Sequence, residues 1–322
     1  MNPAVAITGM GSVSPLGSRW RDVRQSYMSM DTCIDVRAVD GRATPVAGLK
    51  PREDGLLNAL REREPRFKRL DRSVLMAIHA AHDAVADARW SDRNTVGINI
   101  GSSRGATHLL ERHHAAYLNH PESRARPLAS PSTTLGNLAS WVGQAIGSSG
   151  IAFSHSMTCS TALHAVANGI AWLNAGMAQR FLVGGTEAPL TGFSIAQMKA
   201  LKVYAQDPSA RYPCRPLATA PIDSVVLGEG AVILCLEPFH TETADRARAI
   251  VSGLGYATEK IGHATALSVE GYCFRKSMRM ALASTAHKRP VDAIIMHAPE
   301  PCAGMPRSLM PFGTCLAPIH QC

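Results

Sequence analysis

The sequence lacks any apolar run that approaches the ~18 consecutive residues needed to cross a membrane. Its N-terminus, MNPAVAITGMG, also lacks the basic region and following apolar core of a secretory signal. Charged residues make up only 18% of the chain and hydrophobic residues 46%, a balance that excludes a disordered chain. These absences predict a cytoplasmic protein with a large buried core and no membrane segment.

No CxxC pair is present, and the spacing of the eight cysteines makes no disulfide framework. In a cytosolic chain most of them are therefore expected to be reduced and to act as small buried hydrophobes. His113-His114 and His155 have no second carboxylate or cysteine at metal-ligand spacing. We expect neither a metal site nor a cofactor.

Aromatic residues do not alternate with basic ones anywhere, although the formal net charge is +8. Lysine and arginine are scattered along the chain, which argues against a nucleic-acid partner. Two interpretations of the charge remain open. One is a solvated basic surface; the other is a docking surface for an acidic protein.

Apolar runs bounded by glycine alternate with helical periodicities, a pattern typical of an α/β protein whose sheet is covered on both sides. Strands are predicted at 4–8, 96–100, 180–183, 231–236, 250–254 and 293–296. Helix faces are predicted from Val74, Ile78, Ala81 and Val85; from Leu163, Val166, Ile170 and Leu173; and from Phe274, Met278 and Ala281.

The composition of the sequence changes at two places. Residues 237–249 are polar and charged and predict a connection between two halves. Residues 301–322 contain no Asp, Glu or Lys but four prolines and three cysteines, with no helical or strand period. That tail does not continue the pattern before it.

The strongest candidate for chemistry lies within 154–188, SHSMTCSTALHAVANGIAWLNAGMAQRFLVGGTEA. The pattern predicts a short strand, the tripeptide Thr158-Cys159-Ser160, an amphipathic helix and a second strand. Cys159 therefore lies at a helix N-terminus, where free N–H groups and the helix dipole favour a thiolate and can stabilise an oxyanion. A cysteine so placed is a candidate nucleophile for acyl transfer; a buried structural cysteine is the alternative.

The segment TCSTALHA, followed by GGTEA, resembles the nucleophile region of the β-ketoacyl synthases. Further resemblances follow in that family's order: AITGMGSVSPLG at 6–17, LDRSVLMAIHAAHDAVADA at 70–88, VGINIGSSRGAT at 96–107 and VLGEGAVILCLE at 226–237. Together they cover roughly residues 3–298. GSSRGAT, SPSTTLGN and IAQMKALKVY also resemble a narrower bacterial group associated with aryl-polyene or flexirubin-type pigments.

The resemblance implies a thiolase-like, five-layered αβαβα fold with an incomplete second half. Residues 1–240 would be the N-terminal synthase half, 241–298 a partial C-terminal half and 299–322 an aberrant tail. The implied partners are an acyl carrier protein, acyl and malonyl thioesters, and a second synthase subunit in a homodimer or heterodimer.

The implied reaction is a decarboxylative Claisen condensation in which Cys159 accepts the acyl chain. His297, in VDAIIMHAP, coincides with the first histidine of the family's Cys-His-His triad, although a lone strand-end histidine is more often a core residue. Glu229, in LGEGA, matches a position that we interpret as structural.

The family's later lysine and the loop bearing its second histidine have no counterpart after His297. We therefore expect a C-terminally truncated synthase with damaged condensing activity, and a reading-frame shift near Pro299 would explain the tail. The alternatives are a non-catalytic partner subunit resembling a chain-length factor, an inactive remnant, or a degradative thiolase. Gly9-Met10-Gly11 also imitates a dinucleotide fingerprint, but the expected third glycine position holds Ser14.

Overall fold

The computed structural model describes residues 4–122, 126–216, 222–260, 271–285 and 290–295. They group into two units. The first comprises the described residues within 5–197 and 227–250; the second comprises residue 4 and the described residues within 198–226 and 251–295. His297 and the tail at 299–322 lie outside the described residues.

A six-stranded mixed sheet, with the order β5-β4-β6-β7-β1-β8, organises the chain, and a two-stranded hairpin, β2-β3, stands apart from it. Strands β4, β5 and β6 are parallel, whereas β7 runs antiparallel to β6 and β1. The strands are β1 (Val5–Val13), β2 (Asp35–Val39), β3 (Arg42–Val46), β4 (Gly97–Gly101), β5 (Ala152–Phe153), β6 (Phe181–Glu187), β7 (Gly230–Pro238) and β8 (Ala249–Val251).

Ten α-helices and two 3-10 helices fall within the described ranges. The α-helices are α1 (Trp20–Ser29), α2 (Pro51–Arg63), α3 (Arg72–Asp87), α4 (Thr107–Asn119), α5 (Ala129–Thr133), α6 (Asn137–Ile146), α7 (Thr161–Asn174), α8 (Gly192–Ala200), α9 (Thr241–Ala244) and α10 (Tyr272–Ser284). The 3-10 helices are Pro65–Arg69 and Thr158–Ser160. None of the described helices combines the length and the apolarity that crossing a membrane requires.

Helix α3 is the central element of the core, and it packs directly on β1. Its predicted face is confirmed, because Val74, Ile78, Ala81 and Val85 are all buried. The contact is close: a Cβ atom at Gly11 would lie 2.6 Å from the backbone nitrogen of Ala84. Only glycine lets the strand and the helix approach to this distance.

Helix α7 covers the opposite face of the sheet. On β6 a Cβ at Gly185 would meet Ala162 of α7, whereas the next side chain, Thr186, donates to the carbonyl oxygen of Ser73 on α3. Successive strand residues point to opposite faces, so the two helices sandwich the sheet. The expectation of a sheet covered on both sides is confirmed.

The predicted buried face of α7 is wrong at its first position, since the side chain of Leu163 is 73% exposed. The helix instead buries Thr161, Ala165 and Gly169 together with Ile170 and Leu173. Small residues are needed there because a Cβ at Gly169 would lie 2.6 Å from a methyl carbon of Val183. Leu163 was predicted to be buried because the prediction considered hydrophobicity alone. The residues that do pack on the sheet are small because little space separates the helix from it.

Four of the six predicted strands are confirmed with shifted ends, and the one predicted at 250–254 stops at Val251. The prediction at 293–296 is wrong for its described part, because 293–295 form no strand and Ile295 is fully exposed. An apolar run becomes a strand only where a neighbour supplies hydrogen bonds, and no described strand pairs with these residues.

The dinucleotide-fingerprint interpretation of Gly9-Met10-Gly11 is also wrong. Such a motif needs its glycines in a turn between a strand and a helix. Here Gly9 and Gly11 lie inside β1, paired with β7, and serve the contact with α3.

The second unit contains α10, where the predicted helix is confirmed, with Phe274, Met278 and Ala281 half-buried. The backbone N–H of Leu254 donates to the Ser284 hydroxyl over 3.0 Å and so ties this helix to the segment beside it. Elsewhere in the unit, Ala205 donates to the carbonyl oxygen of Val225 over 2.9 Å.

The close contact between β1 and α3 yields a stability prediction. Gly11→Ala should lower the free energy of unfolding by about 1–3 kcal/mol, because the added methyl group overpacks a backbone contact. Gly55→Ala is the matched control: Gly55 is exposed in α2, with nothing within 4 Å of an added Cβ, and should gain about 0.5–1 kcal/mol. Urea denaturation measures both; equal stability of the two variants would refute the packing argument.

Candidate active site

Cys159 lies where the sequence places it, in the 3-10 turn Thr158–Ser160 immediately before α7. Its thiol is free and exposed. The first turn of α7 packs against the carboxyl ends of two parallel strands, because a Cβ at Gly101 of β4 would collide with the methyl group of Thr161. Cys159 is thus presented at the carboxyl edge of β4, β5 and β6.

The turn that carries Cys159 is held in an uncommon backbone conformation. Thr158 has a φ of 49°, in the left-handed region that β-branched residues rarely adopt. The hydroxyl of Thr161 accepts from the Met157 N–H over 2.8 Å and donates to the Thr158 carbonyl oxygen over 2.6 Å. These two bonds clamp both ends of the strained residue and offset its conformational cost.

A second clamp, which the sequence pattern did not reveal, involves His155. Its Nε2 lies 3.1 Å from the carbonyl oxygen of Thr161, and its Nδ1 lies 2.9 Å from the side-chain oxygen Oδ1 of Asn99 on β4. Burial lowers the pKa of His155 and favours the neutral ring. A neutral ring carries one N–H and therefore donates to one of these two oxygens at a time.

The electrostatics at Cys159 suit a developing negative charge. The other N–H groups of the turn are occupied: Ser160 donates to the carbonyl of Met157, and Thr161 donates to that of Thr158. No hydrogen bond within the described ranges occupies the N–H of Cys159 itself. A free donor on the nucleophile's own residue, at the N-terminus of a 14-residue helix, can stabilise an oxyanion formed there.

Glu187 closes the same edge at the end of β6, in the GGTEA segment. One carboxylate oxygen accepts from the N–H of Ser103, which follows β4. The other oxygen is buried without a hydrogen-bond partner in the described structure. Ser156 donates to the Ser103 carbonyl oxygen over 3.2 Å, so the loop after β4 contacts both the Cys159 segment and Glu187.

Glu229 lies in a structural ion pair. The carboxylate accepts from Nε and Nη2 of Arg72 over 2.5 and 2.8 Å and from the N–H of Leu49 over 2.9 Å. Although burial opposes it, Glu229 and then Asp54 raise the pKa of the Arg72 guanidinium. With its oxygens engaged in this way, Glu229 is not available as a base, which agrees with its structural interpretation.

A basic cavity of about 420 Å³ lies beside Arg72 and is lined by Ala188, which follows the carboxyl end of β6; we refer to it as the nucleophile-edge cavity, although Cys159 is not among its lining residues. Among its described lining residues, six cations face three carboxylates. The cations are Arg37, Arg61, Lys68, Arg69, Arg72 and Arg112, and the carboxylates are Asp54, Asp71 and Glu229. Burial and the nearby charge of Arg72 lower the pKa of Arg61, an effect expected where cations crowd together.

Two further histidines, His164 and His297, were considered in the sequence. The Nδ1 of His164 contacts the carbonyl oxygen of Ser160 at 3.0 Å, within α7's first turn. His297 lies outside the described residues, so its relation to Cys159 stays a prediction. Within the described ranges, no group of three or more His, Cys, Asp or Glu side chains is arranged to hold a metal ion.

The clamp on the Cys159 turn can be tested by removing one hydroxyl. Thr161→Val should destabilise the protein by about 1–3 kcal/mol, because two part-buried hydrogen bonds to the backbone are lost, and should slow alkylation of Cys159 by iodoacetamide. Thr161→Ser, which keeps the hydroxyl, should alkylate like the parent. The alkylation rate is measured by intact-protein mass spectrometry; equal rates for Val and Ser would mean that the clamp does not position the thiol.

Comparison with known proteins agrees with this geometry. The beta-ketoacyl synthase N-terminal domain profile matches residues 2–241. A 3-oxoacyl-[acyl-carrier-protein] synthase 2 from Staphylococcus aureus (strain COL) is 28% identical over 308 residues, covering 92% of this chain and 72% of that protein.

Solved structures show the same fold. A type II polyketide synthase ketosynthase, solved in complex with its acyl-carrier protein (AntDE:AntF), superposes with a TM-score of 0.80 at 19% identity, over 99% of this chain and 78% of that one. The ketosynthase ApeO in complex with its chain length factor ApeC, from Xenorhabdus doucetiae, gives a TM-score of 0.69 at 17% identity, over 88% and 68% of the two chains.

The fold expected from the sequence is confirmed as thiolase-like. Because the domain profile spans about three-quarters of the chain, this protein belongs to the β-ketoacyl synthase family of acyltransferases.

Proposed function

We propose that Cys159 is the acyl-accepting nucleophile of a decarboxylative Claisen condensation. The observation that carries the proposal is an exposed, free thiol on a clamped turn at a helix N-terminus, with an N–H that no described residue accepts from. This arrangement supplies a nucleophile and an oxyanion donor at one residue.

The first half-reaction loads the enzyme. The Cys159 thiolate attacks the thioester carbonyl of an acyl carrier protein, and a C–S bond forms. The carbonyl oxygen becomes an oxyanion, which the N–H of Cys159 stabilises. The intermediate collapses, the original C–S bond breaks, and the carrier leaves as its thiol after taking up a proton.

The second half-reaction forms the carbon–carbon bond. Malonyl carrier protein loses carbon dioxide, and the electron pair of the broken bond remains as an enolate. The enolate carbon attacks the acyl-Cys159 carbonyl, the C–S bond breaks, and the thiolate is regenerated. We assign His297 the role of hydrogen-bonding the enolate oxygen during decarboxylation, on the strength of its motif.

Loading by Cys159 is tested by mass spectrometry of the intact chain after incubation with an acyl carrier thioester. The parent should gain the mass of one acyl group, whereas Cys159→Ala should gain none. Cys33→Ala, which removes a half-buried thiol outside the site, is the control and should load like the parent.

A companion variant separates the two half-reactions. His297→Ala should still load but should condense about 10²–10³-fold more slowly with malonyl carrier protein, because one electrostatic partner is lost. Loading that persists in Cys159→Ala would overturn the assignment of the nucleophile. A parent chain that binds another synthase subunit but neither loads nor condenses would favour the non-catalytic partner role.

The acidic partner expected from the net charge of +8 is, we propose, the acyl carrier protein, docking at the nucleophile-edge cavity. Lys68 and Arg69 are exposed at its rim and make no ion pair within the described ranges. They lie in the 3-10 helix just before α3, at the end that carries Arg72. An acidic surface placed here would deliver its acyl chain to the sheet edge that presents Cys159.

Charge reversal tests this docking surface. Lys68→Glu with Arg69→Glu should raise KM for the carrier-borne thioester about tenfold through lost attraction and added repulsion, with kcat unchanged. KM for a small acyl-pantetheine thioester should not change, and the effect should shrink at high salt. Arg21→Glu with Arg24→Glu, an equal charge change on exposed α1, is the control; an equal effect there would exclude a local docking surface.

Further assignments follow the same reasoning. We propose that residues 1–240 form the first synthase half and 241–298 part of the second.

Pairing with a second subunit, as a homodimer or a heterodimer, is supported by the position of β5 as an edge strand of the sheet, where its outer hydrogen-bonding groups are available. The motifs GSSRGAT and IAQMKALKVY support a role in aryl-polyene or flexirubin-type synthesis, and we propose that the protein acts in the cytoplasm.

A further inference from the structure

A second basic cavity lies at the amino ends of the parallel strands, whereas Cys159 lies at their carboxyl ends; we refer to it as the far-edge cavity. It measures about 480 Å³ and is lined at the end of α3 by Val85 and Ala86. Arg72, at the other end of α3, lines the nucleophile-edge cavity. The 16 residues of α3 span roughly 24 Å, so the two cavities are separate sites.

Three arginines from three segments surround the far-edge cavity. Arg63 ends α2, Arg89 follows α3, and Arg93 precedes β4. All three are exposed, and none makes an ion pair within the described ranges. No carboxylate is found among the described lining residues, in contrast to the three carboxylates of the nucleophile-edge cavity.

Three acidic side chains near these arginines in the sequence have other partners. Glu64 pairs with Arg66 over 3.1 Å, Asp83 with His79 over 3.6 Å, and the Asp92 carboxylate accepts from the Asn94 N–H over 3.0 Å. None of these carboxylates, nor Glu62 beside Arg63, lines the cavity or forms an ion pair with its three arginines within the described ranges.

Two further polar side chains, His82 and Ser91, lie in the lining of the cavity. His82 donates from Nε2 to the Ala145 carbonyl oxygen over 3.2 Å, and burial, followed by the charge of Arg63, lowers the pKa of its ring. Because its one N–H is used in that bond, a neutral His82 adds no charge and offers an anion no donor, so it takes no part in holding the phosphate. Ser91 adds a hydroxyl to the lining.

We propose that the far-edge cavity binds a phosphate-bearing small molecule, whose phosphate oxygens are held by Arg63, Arg89 and Arg93. Planar guanidinium groups match phosphate oxygens in pairs. Three of them suit the two or more negative charges of a phosphate ester or a diphosphate better than the single charge of a carboxylate. The cavity volume lies within the range of small-molecule sites, about 300–1,000 Å³.

The test is isothermal titration calorimetry of the full chain with inorganic pyrophosphate. Each single variant, Arg63→Gln, Arg89→Gln or Arg93→Gln, should weaken binding about tenfold or more through loss of a charge-assisted contact, and the triple variant should not bind. Circular dichroism should show the variants folded, since all three side chains are exposed.

Two controls make the outcome decisive. The triple variant Arg19→Gln, Arg21→Gln, Arg24→Gln removes the same charge from exposed positions in and before α1 and should bind pyrophosphate like the parent. Cys159→Ala should also bind like the parent, because the site does not depend on acyl transfer. Absence of binding to the parent, an equal loss in the α1 control, or equal affinity for poly-glutamate would each overturn the proposal.

Discussion

The close approach of α3 and α7 to the two faces of one sheet is the constraint on which the rest of the first unit depends. On one face, Gly9 and Gly11 of β1 allow α3 to pack backbone against backbone; on the other, Gly169 of α7 meets Val183 and Leu236. A methyl group at any of these contacts would force the layers apart, and protein interiors do not absorb such displacement cheaply. The glycines therefore determine how close each helix lies to the sheet.

The distance between α7 and the sheet determines where Cys159 lies. Because α7 packs closely on β4 and β6, its first turn reaches the carboxyl ends of these strands. The methyl group of Thr161 occupies the space left by Gly101. The Thr161 hydroxyl and carbonyl then hold Thr158 and His155 in place. The uncommon φ of Thr158 is tolerated because the surrounding contacts over-determine it, and Cys159 is left exposed, with no hydrogen bond from its N–H to any described residue.

The sequence predicted what periodicity and helix-end chemistry encode: the α3 face, four strands, and Cys159 at the start of α7. It did not predict the small-residue face of α7, because a hydrophobic pattern favours Leu163, whereas contact distance favours Ala165 and Gly169. Nor did it predict the pairing of Asn99 with His155, which are 56 positions apart and meet only because β4 and β5 are parallel neighbours. A strand was wrongly expected at 293–296, because an apolar run does not specify its hydrogen-bonding partner.

Helix α3 also organises the charge of the molecule. At its N-terminal end Arg72 is neutralised by Glu229 and Asp54, and the surplus cations beside it lie on the edge that presents Cys159. At its C-terminal end Arg89 and its neighbours face a cavity without carboxylates among its described lining residues. Cations at both ends of one buried helix therefore line concave sites, and part of the net charge of +8 lies where the anion binding that we propose would use it.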